Sequence, residues 1–176
     1  IQINWLGYPT TTGLSQMDFR LTDVIADPPG LTEAFHSEVL VHLQPCFLCY
    51  SPPNGIPLLK VKHRPVTFGS FNNFAKLTEK TVHLWAQLMN RVPASRLVLK
   101  SRQFADPVVK KLIYDSFKRG GIEQTRIKLV GRVQSRQAHL EYYNEIDIAL
   151  DTFPYNGTTT TCEALLMGVP VVSRAG

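Results

Sequence analysis

From Val66 onward, short β-rich runs alternate with helical stretches that carry cap signals, and this alternation restricts the fold more than any other feature. Parallel neighbours need a long crossover between them, usually a helix, so this spacing implies βαβ units and a parallel sheet with helices on both faces. Val66 to Ser70, Arg96 to Lys100, Ile127 to Val130, Asp147 to Asp151 and Val169 to Ser173 read as strands. A helix is expected from about Thr78 to Arg91, with Val82, Trp85, Met89 and Val92 on one face and Pro93 as its stop. A second begins at Asp106-Pro107 and ends at Gly120-Gly121. A third runs from the Ser135 cap through about Glu145, and a fourth from Thr159 to Met167, ending at Gly168. The result is a Rossmann-like α/β domain. Ligands bind such sheets outside the carboxyl ends of the strands, which directs attention to the loops after Ser70, Lys100, Val130 and Asp151.

The first 60 or so residues are more irregular and richer in Pro, and a boundary is expected near Pro52 to Pro65, dividing the chain into 1–60 and 61–176. The length of 176 residues suits one whole domain plus the remnant of another, and the start at Ile1 and end at Gly176 read as those of a piece cut from something longer. With 44% hydrophobic and 19% charged residues, the chain can bury a core. Its net charge of +5 favours an anionic partner, but Lys and Arg are scattered between apolar positions, so phosphates on a small ligand explain the bias better than nucleic acid. No apolar run is long enough for a membrane span. Cys46, Cys49 and Cys162 are odd in number with apolar neighbours, which fits reduced thiols in the cytoplasm. Cys46 and Cys49 have the C-x-x-C spacing but no second ligand pair, and are read as two small residues on a buried strand.

The loop after Asp151 carries the most chemistry: Thr152-Phe153-Pro154-Tyr155-Asn156-Gly157, four threonines from Thr158 to Thr161, then Cys162-Glu163. Gly157 permits close backbone approach, and the threonines put hydroxyls beside the unpaired amides and positive dipole end of a helix start, which together make a phosphate cradle. The plainer alternative is that one Thr caps the helix. Glu163, one turn in, can accept from both hydroxyls of a ribose or simply favour the helix dipole. Lys76, in the loop after the first strand of the domain, can reach a diphosphate or be solvated, and His139 can stack on a base or lie on the surface. G-x-G-x-x-G and G-x-x-x-x-G-K-[ST] are both missing, which removes the usual warrant for dinucleotide oxidoreductases and P-loop hydrolases.

Trp5-Leu6-Gly7-Tyr8-Pro9 with Thr10 to Gly13, the Phe71 to Lys76 segment, and Leu150-Asp151-Thr152 with Asn156-Gly157 resemble the protein O-GlcNAc transferase family, through nearly the whole chain. Within it the wording is most similar to the plant Spindly branch, in Thr11-Thr12-Gly13-Leu14, Ile25-Ala26-Asp27-Pro28-Pro29, Cys46-Phe47-Leu48-Cys49-Tyr50 and Gly157 to Glu163. The resemblance implies a GT-B architecture. Residues 61–176 would form a truncated nucleotide-sugar-binding lobe, preceded in 1–60 by the end of the sugar and acceptor lobe. It implies inverting, metal-independent transfer of N-acetylglucosamine from UDP-GlcNAc to Ser or Thr hydroxyls of proteins, without a cofactor, in a cytoplasmic enzyme fused to N-terminal helical repeats of the TPR type. The isolated fragment would be inactive.

By position, Lys76 is similar to the family's diphosphate-binding lysine and is the candidate catalytic residue. Thr159 and Thr160 match its phosphate-binding threonines, His139 the histidine on the base, and Glu163 the ribose-binding acid. Leu6, Gly7 and Pro9 would line the sugar pocket. Asn73, Thr158 and Arg136 complete the expected substrate-binding set, although the family's O-GlcNAc transferases carry Gln, His and Lys there. The Thr158 form is that of the Spindly branch, which transfers fucose from GDP-fucose, so O-fucosyl transfer is the alternative, with a non-catalytic nucleotide-sugar-binding module as a further one. Asp18, Asp23 and Asp27 are acidic but read as turn or capping residues, and no general base is evident.

Overall fold

The computed structural model describes residues 1–59 and 65–174, so the expected division between residues 60 and 61 lies outside the described residues. The chain divides into two compact units, Ile1–Ser51 and Pro52–Gly176.

The first unit is more regular than its sequence suggested. Strands β1 (Ile3–Asn4), β2 (Phe19–Thr22) and β3 (Val39–His42) form a parallel sheet in the order β1-β2-β3, with Phe19 opposite Val39. Its strands hid because their pattern is inverted: β3 leaves Val39 and Val41 exposed, while β2 buries Arg20 and Thr22. The buried-strand reading of the C-x-x-C pair is wrong. Cys46 and Cys49 are exposed and lie after β3, outside any strand. Asp27 closes the turn that starts at Asp23, its amide donating to the Asp23 carbonyl at 3.0 Å, and it has a further part: it is buried, accepts from the Thr22 hydroxyl and stands 3.5 Å from the Arg20 guanidinium. Asp23 does form a turn, its Oδ1 accepting from the amides of Ile25 and Ala26.

In the second unit β4 (Thr67–Ser70), β5 (Arg96–Lys100), β6 (Ile127–Val130), β7 (Ile148–Leu150) and β8 (Val171–Val172) form one parallel sheet in the order β6-β5-β4-β7-β8. Helices α1 (Glu79–Arg91) and α2 (Pro107–Arg119) cover one face. The caps are those the sequence announced: Thr78 Oγ1 accepts from the Thr81 amide, and Asp106 from Val108. Val82, Trp85, Ala86 and Met89 fall on the buried stripe of α1 at helical spacing, against Phe68 and Leu97 of the sheet. Burying each such side chain stabilises the fold by about 1.5–3 kcal/mol.

Helices α3 (Arg136–Glu141) and α4 (Thr159–Leu166) cover the other face, where Val98, Val130 and Ala149 meet Leu140, Ala164 and Met167. Helix α3 is shorter than expected. It ends at Glu141, and Tyr142–Glu145 wind into a 3₁₀ turn. Leu140, Tyr143 and Ile146 are all buried, and their spacing of three suits three residues per turn better than 3.6. Gly69 lies under this segment because a Cβ there would stand 2.5 Å from Ile146.

Candidate functional site

The sheet order reverses at β4, with β5 on one side and β7 on the other. The chain leaves β4 and β7 at one edge and turns away in opposite directions, which opens a crevice between the loops that follow them. Asp151, just past β7, organises this crevice. Its Oδ1 accepts from the amides of Thr152 (2.9 Å) and Gly157 (2.7 Å) and from Asn72 Nδ2 (3.2 Å). Its Oδ2 accepts from Asn156 Nδ2 at 3.1 Å and from the Ser173 hydroxyl at 2.9 Å. Asn72, past β4, turns its own Oδ1 to the Thr160 hydroxyl at 2.9 Å. Gly157 sits within this knot. A Cβ there would stand 2.4 Å from Thr160 Oγ1 and 2.7 Å from Asn72 Oδ1, so any larger residue must push the loops apart.

Helix α4 starts where Asp151 leaves the loop. Thr158 is the N-cap residue, yet its side chain makes no capping bond. The hydroxyl of Thr160 is committed to Asn72 and that of Thr161 to the Gly157 carbonyl at 3.1 Å. Thr158 and Thr159 are exposed. Among the described residues no side chain caps the amides of Thr159 and Thr160, while the Thr161 amide donates back to the Thr158 carbonyl, and two uncapped amides at the positive end of the dipole are an arrangement that can receive an anion.

Lys76 arrives at the same place from the β4 side. Its Nζ donates to the Asn156 carbonyl at 2.8 Å and lies 3.9 Å from the centre of the Tyr155 ring. Burial pushes its pKa below the usual lysine range, opposed by the nearby Asp151 carboxylate. Asn73 caps the 3₁₀ turn Phe74–Lys76, its side chain accepting from Ala75 N at 3.1 Å, and so directs the chain that carries Lys76.

Further along the edge, Glu163 is buried, and its Oε2 takes a 2.8 Å hydrogen bond from His139 Nε2. The other ring nitrogen, Nδ1, meets the ammonium of Lys100, the last residue of β5, which is itself buried. Burial pushes the Lys100 pKa down, with Glu163 opposing it. Phe71 and Tyr143 present ring contacts to the imidazole at 6.0 and 5.7 Å between centroids. Arg136 is exposed in the first turn of α3. Lys76, Thr160, His139 and Glu163 are therefore brought to one edge of one sheet. Asp151 and Lys100 escaped the sequence reading. The available signal for Asp151 was an acid between an apolar strand and an Asn-Gly loop full of donors.

Leu6, Gly7 and Pro9 belong to the first unit. Leu6 has φ 58°, and Gly7 N bonds to the Trp5 carbonyl at 2.6 Å in a tight turn. The buried Arg20 donates to the carbonyls of Tyr8, Pro9 and Thr10 at 2.7 to 2.9 Å. Glu38, also buried, accepts from both Thr11 and Thr12 hydroxyls and from the Thr12 amide, and these donors hold its pKa down at about 2 against the cost of burial. These anchors hold residues 8–12, and the Trp5 indole, donating to the Phe47 carbonyl at 2.8 Å, holds the chain before Leu6, so the positive-φ turn is tied down on both sides. Among the described residues no cluster of three or more His, Cys, Asp or Glu could hold a metal ion, and no helix is long and apolar enough to cross a membrane.

The parallel sheet, with an uncapped helix start at its switch point, a lysine facing that start and a buried acid–imidazole pair beside it, has the architecture of one Rossmann-like lobe of a GT-B glycosyltransferase. The family follows from comparison: the chain belongs to glycosyl transferase family 41, whose model matches residues 1–64 and 58–176. It is 46% identical over 180 residues to a rice protein and 45% identical to one from Arabidopsis thaliana, each named a probable UDP-N-acetylglucosamine–peptide N-acetylglucosaminyltransferase SPINDLY. These alignments cover 100% of this chain but 19% and 20% of the relatives, so the chain spans about one fifth of their length. Among solved structures, a mutant of the Thermobaculum terrenum O-GlcNAc transferase superposes with a TM-score of 0.94 at 35% identity, covering 100% of this chain and 34% of that one.

Proposed function

We propose that this chain is the donor-binding part of an enzyme that transfers N-acetylglucosamine from UDP-GlcNAc to Ser or Thr hydroxyls of proteins, with inversion and without a metal. The observation that carries the proposal is the meeting of Lys76 with the uncapped start of α4 across the Asn156-Gly157 loop. In such a transfer the acceptor oxygen attacks the anomeric carbon while the nucleotide diphosphate leaves, and the main demand is for positive charge at the departing phosphates. Lys76 and the amides of Thr159 and Thr160 would supply it. The exposed Thr158 and Thr159 hydroxyls would donate to phosphate oxygens. His139 and Glu163 would take the base and ribose, with Arg136 and Asn73 at the rim. Leu6, Gly7 and Pro9 of the first unit would border the sugar. The whole protein would carry helical repeats that bring protein acceptors, and it would act in the cytoplasm, where the exposed thiols of Cys46 and Cys49 stay reduced.

The names of the relatives support the donor and acceptor classes. The test is a donor panel on the full-length protein, comparing UDP-GlcNAc, UDP-glucose and GDP-fucose by mass shift on an acceptor protein, with and without Lys76→Ala. UDP-GlcNAc is expected to serve, and Lys76→Ala to lower kcat by about 10²–10³-fold, the usual effect of removing one preorganised donor. Turnover near that of the parent would end the role of Lys76. Transfer from GDP-fucose alone would replace the donor, and binding without transfer would leave a nucleotide-sugar-binding module.

A further inference from the structure

A buried lysine is rare unless it is paired. Lys100 is only 8% exposed at the carboxyl end of β5, and its partner is an imidazole that is itself bonded to a buried carboxylate. We propose that Lys100 is a positioning residue for the nucleotide site: by donating to Nδ1 of His139, it fixes the ring in the Nε2–H tautomer that holds Glu163. This rests on the reading of His139 and Glu163 as the base and ribose end of that site.

Hydrogen-bond capacity dictates the tautomer. An ammonium has donors and no acceptor, and an ionised carboxylate has acceptors only. The imidazole between them must therefore accept at Nδ1 and donate from Nε2, which is the neutral ring with its proton on Nε2. A doubly protonated ring would set two donors against each other at Nδ1. The neighbours fix the ring plane as well, with Phe71 and Tyr143 both edge-on to it, and Tyr143 Oη 3.5 Å from Glu163 Oε2. Tyr143 also donates to the Thr160 carbonyl at 3.1 Å, which links this end of the site to the first turn of α4. Lys100, with the imidazole between it and Glu163, has no need to touch the nucleotide. Its work is to set the ring and, through it, the carboxylate before the ligand arrives, so that less ordering is needed on binding.

The experiment uses the 176-residue chain. Long-range ¹H–¹⁵N spectra of the imidazoles report the tautomer of His139, assigned by His139→Phe, and calorimetry reports the Kd of UDP and of GDP. In the parent, His139 is expected as the Nε2–H form. In Lys100→Met, which keeps much of the apolar stem, Nδ1 loses the donor that kept it an acceptor while Glu163 still holds the Nε2 proton, so the ring is expected to carry a second proton on Nδ1 in part of the population, and the affinity for the nucleotide it binds to fall about tenfold, equivalent to about 1.4 kcal/mol. In a His139→Phe background the same Lys100→Met change should cost little further affinity, because the lysine acts through the ring. An equal loss in both backgrounds overturns the proposal, since a merely structural lysine would behave so. A His139 ring that stays wholly in the neutral Nε2–H form in a folded Lys100→Met chain overturns it too. If the parent binds neither UDP nor GDP while His139 still shows the Nε2–H form, it is the nucleotide reading of the site that fails. Should Lys100→Met not fold, Lys100→Arg, which retains the donor, must preserve the tautomer and the affinity, and loss of either in a folded Lys100→Arg chain counts against the proposal.

Discussion

Replacing Asp151 should unfasten the loop that builds the anion seat. Its carboxylate accepts bonds from Thr152, Gly157, Asn72, Asn156 and Ser173, the distances running from 2.7 to 3.2 Å. A hydrogen bond to a charged group contributes about 1.5–3 kcal/mol, but the five share one half-buried carboxylate and water can replace some of them. Asp151→Ala should therefore cost about 3–4 kcal/mol, well below the simple sum. Asp151→Asn should cost about 1–2 kcal/mol, since its remaining oxygen can serve Gly157 and Thr152 while its new amide faces the Asn156 amide, donor against donor. Urea unfolding measures both. A Trp5→Phe background leaves Trp85, which is 3% exposed in the core of the second unit, as the fluorescent reporter. Hydrogen exchange at the Gly157 amide gives the local readout, because that amide loses its acceptor in the Ala variant. An Asp151→Ala chain within about 0.5 kcal/mol of its parent, with the Gly157 amide equally protected, would refute the account of the loop.

Gly157→Ala places a methyl group within 2.4 Å of Thr160 Oγ1. It should break the Thr160–Asn72 bond and weaken nucleotide-diphosphate binding at least about tenfold by calorimetry, at a stability cost of about 1–3 kcal/mol. In the first unit, Glu38 has its pKa lowered from 4.5 to about 2. A depressed acid stabilises the fold at pH above its unfolded value and loses that contribution as pH falls through its folded one. The protection factor of the Thr12 amide, which bonds to Glu38, should therefore fall between pH 4.5 and about 2, once the pH dependence of intrinsic exchange is divided out. Glu38→Gln should remove that pH dependence and cost no more than about 3 kcal/mol at neutral pH.

The sheet of the second unit was legible because its signals are local. Thr78, Asp106 and Ser135 stand one residue ahead of α1, α2 and α3, and each caps its helix with a side chain that bonds a nearby amide. The candidate site was legible where its geometry leaves local punctuation, as at Asn156-Gly157 before a run of threonines. It was opaque where function depends on partners far along the chain. Lys100 with Arg96 brackets an apolar strand and looks like a solvated strand end, yet its partners lie 39 and 63 residues away at His139 and Glu163. Asp151 looked like the last residue of a strand, and it is instead the acceptor around which two loops close. The first unit failed for a related reason: Arg20 is buried by three carbonyls that only the folded loop assembles, so the alternation of β2 is inverted, with Arg20 and Thr22 inside and Phe19 and Leu21 only partly buried, and a hydrophobic pattern reads it the wrong way round.

The two lysines of this edge, Lys76 half-buried and Lys100 buried, carry different electrostatic duties, and the difference assigns them different kinetic signatures. Lys100 already faces Glu163 through His139, so its charge is answered within the protein and little of it remains for a leaving group. Lys76 faces a neutral carbonyl and an aromatic ring, while its nearest carboxylate, Asp151, is surrounded by hydrogen-bond donors that spread its charge. On the proposed reaction, a phosphate would have only to displace the Asn156 carbonyl to take that ammonium, and the attraction would grow as negative charge accumulates on the departing diphosphate. A group whose pull strengthens along the reaction acts on kcat, whereas one that sets the ligand's seat in advance acts on binding. In the full-length enzyme, Lys76→Ala should therefore fall mainly on kcat and Lys100→Met mainly on KM. A Lys100→Met enzyme whose loss lies in kcat, with KM unchanged, would contradict that division between the two lysines.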